Sequence, residues 1–220
     1  MIELPKEPTK GWMSIADVKL PTDYPSVDYF THSNFLTQAQ KDGLKKLIEE
    51  KASETEVDKY LTTNKPLWDY FFPHKGNHGI WVIPKQQIKA KVGESDRGLI
   101  PDYIICTKNS DGFQYWVVEL KGITESLLTI NSAREIYFSS EGNKGISQLI
   151  EYIDFCSKFQ TKLREEFRFK DFREPNGILV LGLEKESDDN QTKREFKAAW
   201  NRLNPRLEIR TFNSILRRLD

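Results

Sequence analysis

Asp102, Glu119 and Lys121 are the residues whose types and spacing could do chemistry in this sequence. They lie between Gly98 and Gly122, in a stretch that otherwise reads as two arms rich in aliphatic and aromatic residues. The first arm runs from Ile100 to Thr107 and the second from Gln114 to Lys121, with the turn residues Lys108-Asn-Ser-Asp-Gly-Phe113 between them. Both faces of each arm are apolar, which predicts central strands. A charge buried there is costly unless it is paired, hydrogen-bonded or bound to a metal. Three such exceptions point to one cause.

Side chains alternate along a strand, so Glu119 and Lys121 share a face and Leu120 takes the other. A turn centred near Ser110 or Asp111 sets Asp102 opposite either Glu119 or Lys121, and in both registers the three charges share a face. Pairing of Asp102 with Leu120 would separate them. Two carboxylates and an ammonium converging in a partly dry site suit metal-assisted hydrolysis of a phosphodiester. Magnesium prefers carboxylate and carbonyl oxygens and keeps several waters, so Asp102, Glu119 and the Leu120 carbonyl are the expected ligands. Lys121 would orient the attacking water or stabilise the charge that develops on phosphate.

Pro101-Asp102 followed by Glu119-Leu120-Lys121 resembles the PD-(D/E)XK nuclease signature. Further segments extend the likeness: Thr62-Thr-Asn-Lys-Pro-Leu-Trp68, the helix opening Ser147-Gln148-Leu-Ile-Glu-Tyr152, Gly177-Ile-Leu-Val-Leu-Gly-Leu183, and Leu207 to Leu216. In this order they resemble the nuclease domain of the Shedu anti-phage defence family over about residues 54 to 219. The resemblance implies a PD-(D/E)XK restriction-endonuclease-like α/β fold, a central mixed sheet flanked by helices. It also implies a Mg2+-dependent endonuclease, with Mn2+ able to substitute, acting on double-stranded phage or foreign DNA. In such enzymes a helix glutamine sits near the catalytic lysine, the role the resemblance gives to Gln148. A helix before the sheet often adds an acid, and Glu54, Glu56 and Asp58 compete for that part. Glu94 and Asp96 are further candidates by nearness to Asp102. Acids in a first helical turn favour the helix dipole in any case. A restriction or repair nuclease with the same three residues stays open, as does a catalytically inactive nuclease-fold module used for binding or assembly. An unregulated nuclease would endanger its host, so a homo-oligomer, or control by the amino-terminal arm, is expected.

The chain has 220 residues, enough for one domain with a real core, or for one domain plus an arm. Residues 1–35 hold four prolines and no helical period, and read as an arm or irregular lead-in. On the resemblance, residues 36–220 are expected to form the nuclease domain. With 38% hydrophobic and 30% charged residues, the composition is that of a soluble globular protein. Lys+Arg and Asp+Glu are equal at 33, so no overall positive field advertises a polyanion partner. Residues 190–220 carry eight basic and three acidic side chains, a local net of +5 that suits either phosphate or solvent. The start lacks a signal-peptide pattern and no apolar run approaches the roughly 20 residues that span a bilayer, so a cytoplasmic protein is expected. Cys106 and Cys156 sit on apolar faces and are predicted to be buried free thiols.

The elements that must position the site follow from periodicity. An amphipathic helix is predicted over 36–51, and Ser53-Glu-Thr-Glu56 reads as a capping box opening a second helix. Ile80 to Ile83 and Gln87 to Val92 read as strands, the latter with Ile88, Ala90 and Val92 inward and Lys89 and Lys91 outward. His74 and His78 read as loop residues facing solvent. Residues 123–140 have no clear period and read as a crossing beside the site, with Arg134 and Lys144 as phosphate contacts. A helix over 144–167 carries the stripe Ile146, Leu149, Ile150, Ile153, Cys156, Phe159, Leu163. Gly177 to Leu183 is an apolar strand that implies parallel pairing with a neighbour. Thr192 to Leu203 is a helix with Phe196, Ala199, Trp200 and Leu203 inward, and a strand near Leu207 and a short helix close the chain.

Overall fold

Alternating burial builds the sheet. Ile80, Val82, Tyr103, Ile105, Val118 and Leu120 enter one core while Trp81, Ile83, Ile104, Cys106 and Val117 enter another, so the strands are apolar on both faces. The computed structural model describes residues 19–72, 78–90, 98–183 and 191–219. The main sheet is mixed, with six strands in the order β1-β2-β3-β4-β7-β8. These are β1 (Phe30–Thr31), β2 (Ile80–Pro84), β3 (Tyr103–Asn109), β4 (Gly112–Leu120), β7 (Asn176–Val180) and β8 (Leu207–Arg210). Strands β1 to β4 pair antiparallel, whereas β4–β7 and β7–β8 are parallel. The chain is therefore α/β, with β4 at the seam between the two halves of the sheet.

Helices cover both faces. On one side α1 (Gln38–Glu49), α2 (Glu54–Thr63), a 3-10 helix (Lys65–Phe71) and α6 (Phe212–Leu219) enclose Leu44, Leu61, Trp68 and Phe212. On the other, α3 (Ser140–Lys158), α4 (Gln160–Glu166) and α5 (Gln191–Leu203) lie over Leu149, Leu163, Leu179 and Leu181. Both α1 and α2 open with complete capping boxes, Thr37 with Gln40 and Ser53 with Glu56. Among the described residues no helix is long and apolar enough to cross a membrane. Both cysteines are buried and free, as the apolar surroundings of each predict.

Several expectations need correction. Residues 87–90 do not form a strand of the sheet, because only Lys89 bridges Leu99; Ile88 is buried but Ala90 is exposed, and Lys91 and Val92 lie outside the described residues. The 123–140 crossing instead contains a small antiparallel pair, β5 (Leu128–Ile130) and β6 (Ile136–Phe138). The helix predicted over 144–167 starts earlier and divides at Phe159, whose φ of −114° and ψ of 36° leave the helical region. Ile150 is 55% exposed and Phe159 46%, so the inward stripe is narrower than its spacing suggests. Leu203, predicted inward, is 80% exposed, because α5 ends there and the chain turns to β8. Residues 1–18 of the predicted arm, His74, Glu94 and Asp96 lie outside the described residues.

Candidate active site

The hairpin settles the register on which the chemistry depends. Asn109 pairs with Gly112, so Ser110 and Asp111 form a two-residue turn, and Tyr103 pairs with Val118. One step further sets Asp102 opposite Glu119, one of the two registers that group the charges. The Leu120 amide donates to Asp102 Oδ2 at 2.8 Å, which ties the carboxylate to the end of β4. Val118 and Leu120 fill the core under α2, leaving Glu119 and Lys121 to the opposite face, under α3.

Lys121 is held from two sides. Its Nζ donates to Glu119 Oε1 at 2.8 Å and to Gln148 Oε1 at 2.9 Å. Lys121 is 6% exposed and Glu119 4%, so this pair is shielded from water. Gln148 reaches it because α3 lies close to β7: a Cβ on Gly145 would come within 2.6 Å of Leu179 Cδ1. Just beyond β7, Gly182 adopts φ +66° and its amide donates to the Gly122 carbonyl, pinning the chain that follows Lys121. Any side chain there would strike the Glu125 carbonyl at 2.4 Å.

The acids are not all paired. Glu119 Oε2 is buried without a hydrogen-bond partner. Burial, and then the negative charge of Asp102, push the Glu119 carboxyl up from 4.5 to about 7, against the opposing pull of Lys121. Asp102 lines a cleft of about 120 Å3 with Glu54, Thr55, Asp58, Lys85 and Leu120. Glu54 is raised too, first by burial, with Asp102 adding to the shift and Lys121 opposing it. Thus α2 does bring Glu54 and Asp58 to the site. Glu56 is turned back onto Ser53, whose hydroxyl and amide lower its pKa, and it caps the helix instead.

A raised carboxyl leads to a definite pH dependence. The folded protein binds the Glu119 proton more tightly than the unfolded chain does. Its contribution is therefore complete below pH 4.5 and is lost as pH climbs through about 7. With EDTA present, the melting temperature is expected to fall between pH 5 and 7.5, by an amount equivalent to about 1–3 kcal/mol. Glu119→Gln should flatten that slope, and equal slopes in the two proteins would refute the assignment of the shift to this residue.

Lys85 is the site residue that sequence reasoning missed. Its Nζ contacts Asp102 Oδ1 and lies 3.3 Å from Asp58 Oδ2, while its amide donates to the Asp102 carbonyl at 2.9 Å. Desolvation lowers its pKa, but the hydrogen bond and charge of Asp102, joined by Asp58, leave it raised overall. The signal lay in pairing: Pro84 opposes Tyr103, so the residue after Pro84 opposes Asp102. Of the other basic candidates, Lys144 is close enough to influence Glu54. Arg134 occupies a positive-φ turn between β5 and β6. Three basic residues from the carboxyl-terminal end serve the fold: Arg206 pairs with Glu174, Arg210 with the Phe71 carbonyl and Glu208, and Arg218 with the Tyr70 carbonyl.

The family model described as "Shedu protein SduA, C-terminal" matches residues 51–216. The chain belongs to the Shedu family. The match takes in α2, the cleft, the hairpin and Gln148, so the Shedu region contains every site residue described above. Membership supports a role in Shedu anti-phage defence. No curated protein matches the chain.

Among the described residues no three His, Cys, Asp or Glu side chains gather to hold a metal by themselves. Two carboxylates, a backbone carbonyl and several waters are nonetheless a normal set for Mg2+, which seldom occupies an all-protein cage. Among the described residues Glu54, Asp58, Asp102 and Glu119 gather with Lys85 and Lys121, with Lys144 also acting on Glu54, so the acids outnumber the lysines when all are ionised. With the unpartnered Glu119 Oε2, that excess fits a hard divalent cation.

Proposed function

We propose that this Shedu protein is a Mg2+-dependent endonuclease of the PD-(D/E)XK type, cutting double-stranded phage or foreign DNA. The observation that carries the reading is Lys121, fixed between Glu119 and Gln148, beside a buried carboxylate oxygen that lacks a partner. Asp102, Glu119 and the Leu120 carbonyl would hold the cation. When bound there, the metal would polarise a phosphoryl oxygen and lower the pKa of a coordinated water.

The protein's own groups do the rest. Lys121 presents its remaining N–H to the attacking water or to the charge developing on phosphate, and needs no reorganisation because two acceptors already fix its position. Gln148 keeps the ammonium from folding wholly onto Glu119. Asp102 is aimed by the Leu120 amide. Glu54 and Asp58 supply further negative charge at the cleft. A homo-oligomer is the expected form in which this activity is controlled.

The test is incubation of supercoiled and linear duplex DNA with the full chain in Mg2+, Mn2+ or EDTA, alongside calorimetric titration of each metal. Metal-dependent cleavage and binding, both absent in Glu119→Gln, are the expected results. Absence of metal binding in the unaltered protein would overturn the reading in favour of a noncatalytic module. Phage plating with and without the Glu119→Gln change separates defence from restriction or repair.

A further inference from the structure

Two lysines meet the acids of this site, and their settings differ. Lys121 has a side chain only 7% exposed and is gripped by two acceptors. The Lys85 side chain is 49% exposed and its ammonium rests on Asp102 and Asp58, at the open mouth of the cleft. Its backbone has φ +48°, a conformation that L residues adopt at a cost, so the chain accepts strain to place this side chain beside Asp102. A four-carbon stem ending in a half-exposed ammonium can swing, whereas the buried Lys121 is held by two acceptors.

Asp102 leaves little room for a second cation. Oδ2 accepts the Leu120 amide, and Oδ1 carries the Lys85 ammonium. A divalent ion reaching Asp102 from the cleft meets Oδ1, where a positive charge already sits. Either like charges crowd one oxygen or the lysine leaves.

We infer that Lys85 is a displaceable counter-ion: its ammonium neutralises Asp102 and Asp58 until a divalent cation takes Asp102, and then binds a non-bridging oxygen of the DNA phosphate. The inference rests on the nuclease reading above and assigns it a phosphate-binding residue that links metal loading to DNA capture. In the metal-free protein Lys85 limits repulsion between Asp58 and Asp102. Once displaced it stays within one side-chain length of the cleft, so its charge is available to the phosphate.

Calorimetric titration of the full chain with Mg2+ and Mn2+ tests the first half, comparing the unaltered protein with Lys85→Met and Lys85→Asn. Methionine keeps the stem without charge, and asparagine suits a left-handed backbone should methionine disturb folding. Both variants are expected to bind metal about tenfold more tightly, because a competing positive charge has gone. Anisotropy titration of duplex DNA in Ca2+ tests the second half. The variants should bind DNA more weakly, with a plot of log affinity against log salt shallower by about 0.9, the loss of one phosphate contact. Unchanged or weaker metal binding in both variants, with normal binding by the unaltered protein, overturns this inference alone. An unchanged salt slope overturns the transfer to phosphate. Absence of metal binding in all three proteins overturns the inference and the nuclease reading together.

Discussion

Cleavage of duplex DNA in Mg2+ is expected to fall by about a thousandfold or more in each of Asp102→Asn, Glu119→Gln and Lys121→Met, a loss of about 4 kcal/mol in transition-state stabilisation. The geometry explains why the three should fail alike. Glu119 both holds Lys121 and supplies the unpartnered oxygen, so removing it disables two functions. Residues acting as a unit are not additive, so Glu119→Gln with Lys121→Met should lose no more than the worse single change. Folding is the control. Loss of Lys121 leaves the Glu119 carboxyl buried without its charge partner, a strongly destabilising change unless the acid takes a proton. Glu119→Gln keeps an oxygen for the Lys121 ammonium but removes its charge partner, so its melting temperature at pH 7.5 in EDTA is measured beside its cleavage rate. Cleavage within threefold of the unaltered rate in all three variants, measured by gel assay under single-turnover conditions, would refute the assignment.

Trp68→Ala is expected to destabilise the chain by about 3–5 kcal/mol, lowering the melting temperature by about 6–20 °C. Trp68 is 0% exposed, and its ring lies 4.4 Å from the centroids of both Phe71 and Tyr103. Tyr103 in turn donates to Asp58 Oδ1 at 2.6 Å and bonds Thr62 at 2.8 Å, so the indole braces the strand that holds α2 against the cleft. Loss of the ring removes both packing volume and the support of Asp58. Trp68→Phe keeps most of the volume and discards an indole N–H that has no partner, so it should recover much of the stability. A shift below about 2 °C in Trp68→Ala by circular dichroism would show that this packing does not bear on stability.

The hairpin is legible in the sequence because three charges sit in arms that are otherwise apolar. Alternation then left only two acceptable registers, and the two-residue turn chose the one that opposes Asp102 to Glu119. The capping boxes at Ser53 and Thr37 are local hydrogen-bond patterns, and the Ser53 box could be read from spacing alone. Periodicity was less dependable at element edges. Ile150, Phe159 and Leu203 have the right spacing to be inward yet are exposed, because a stripe says which residues share a face and not where the covering layer ends. The pair of short strands within 123–140 lacked any period long enough to be seen.

By itself the sequence led to a register that sets Asp102 opposite Glu119 and puts Glu119 and Lys121 on one face, since that depends only on strand alternation and a short turn. Gln148 could be named from the family likeness, but its bond to Lys121 depends on α3 lying against β7 at Gly145. Tertiary structure alone decided that Glu54 and Asp58 join the cleft and that Lys85 occupies Asp102. The reason is range. Register and capping are set by neighbours a few residues apart, whereas Lys85 and Asp102 meet only because β2 pairs with β3, and α2 reaches them only by packing on the same core.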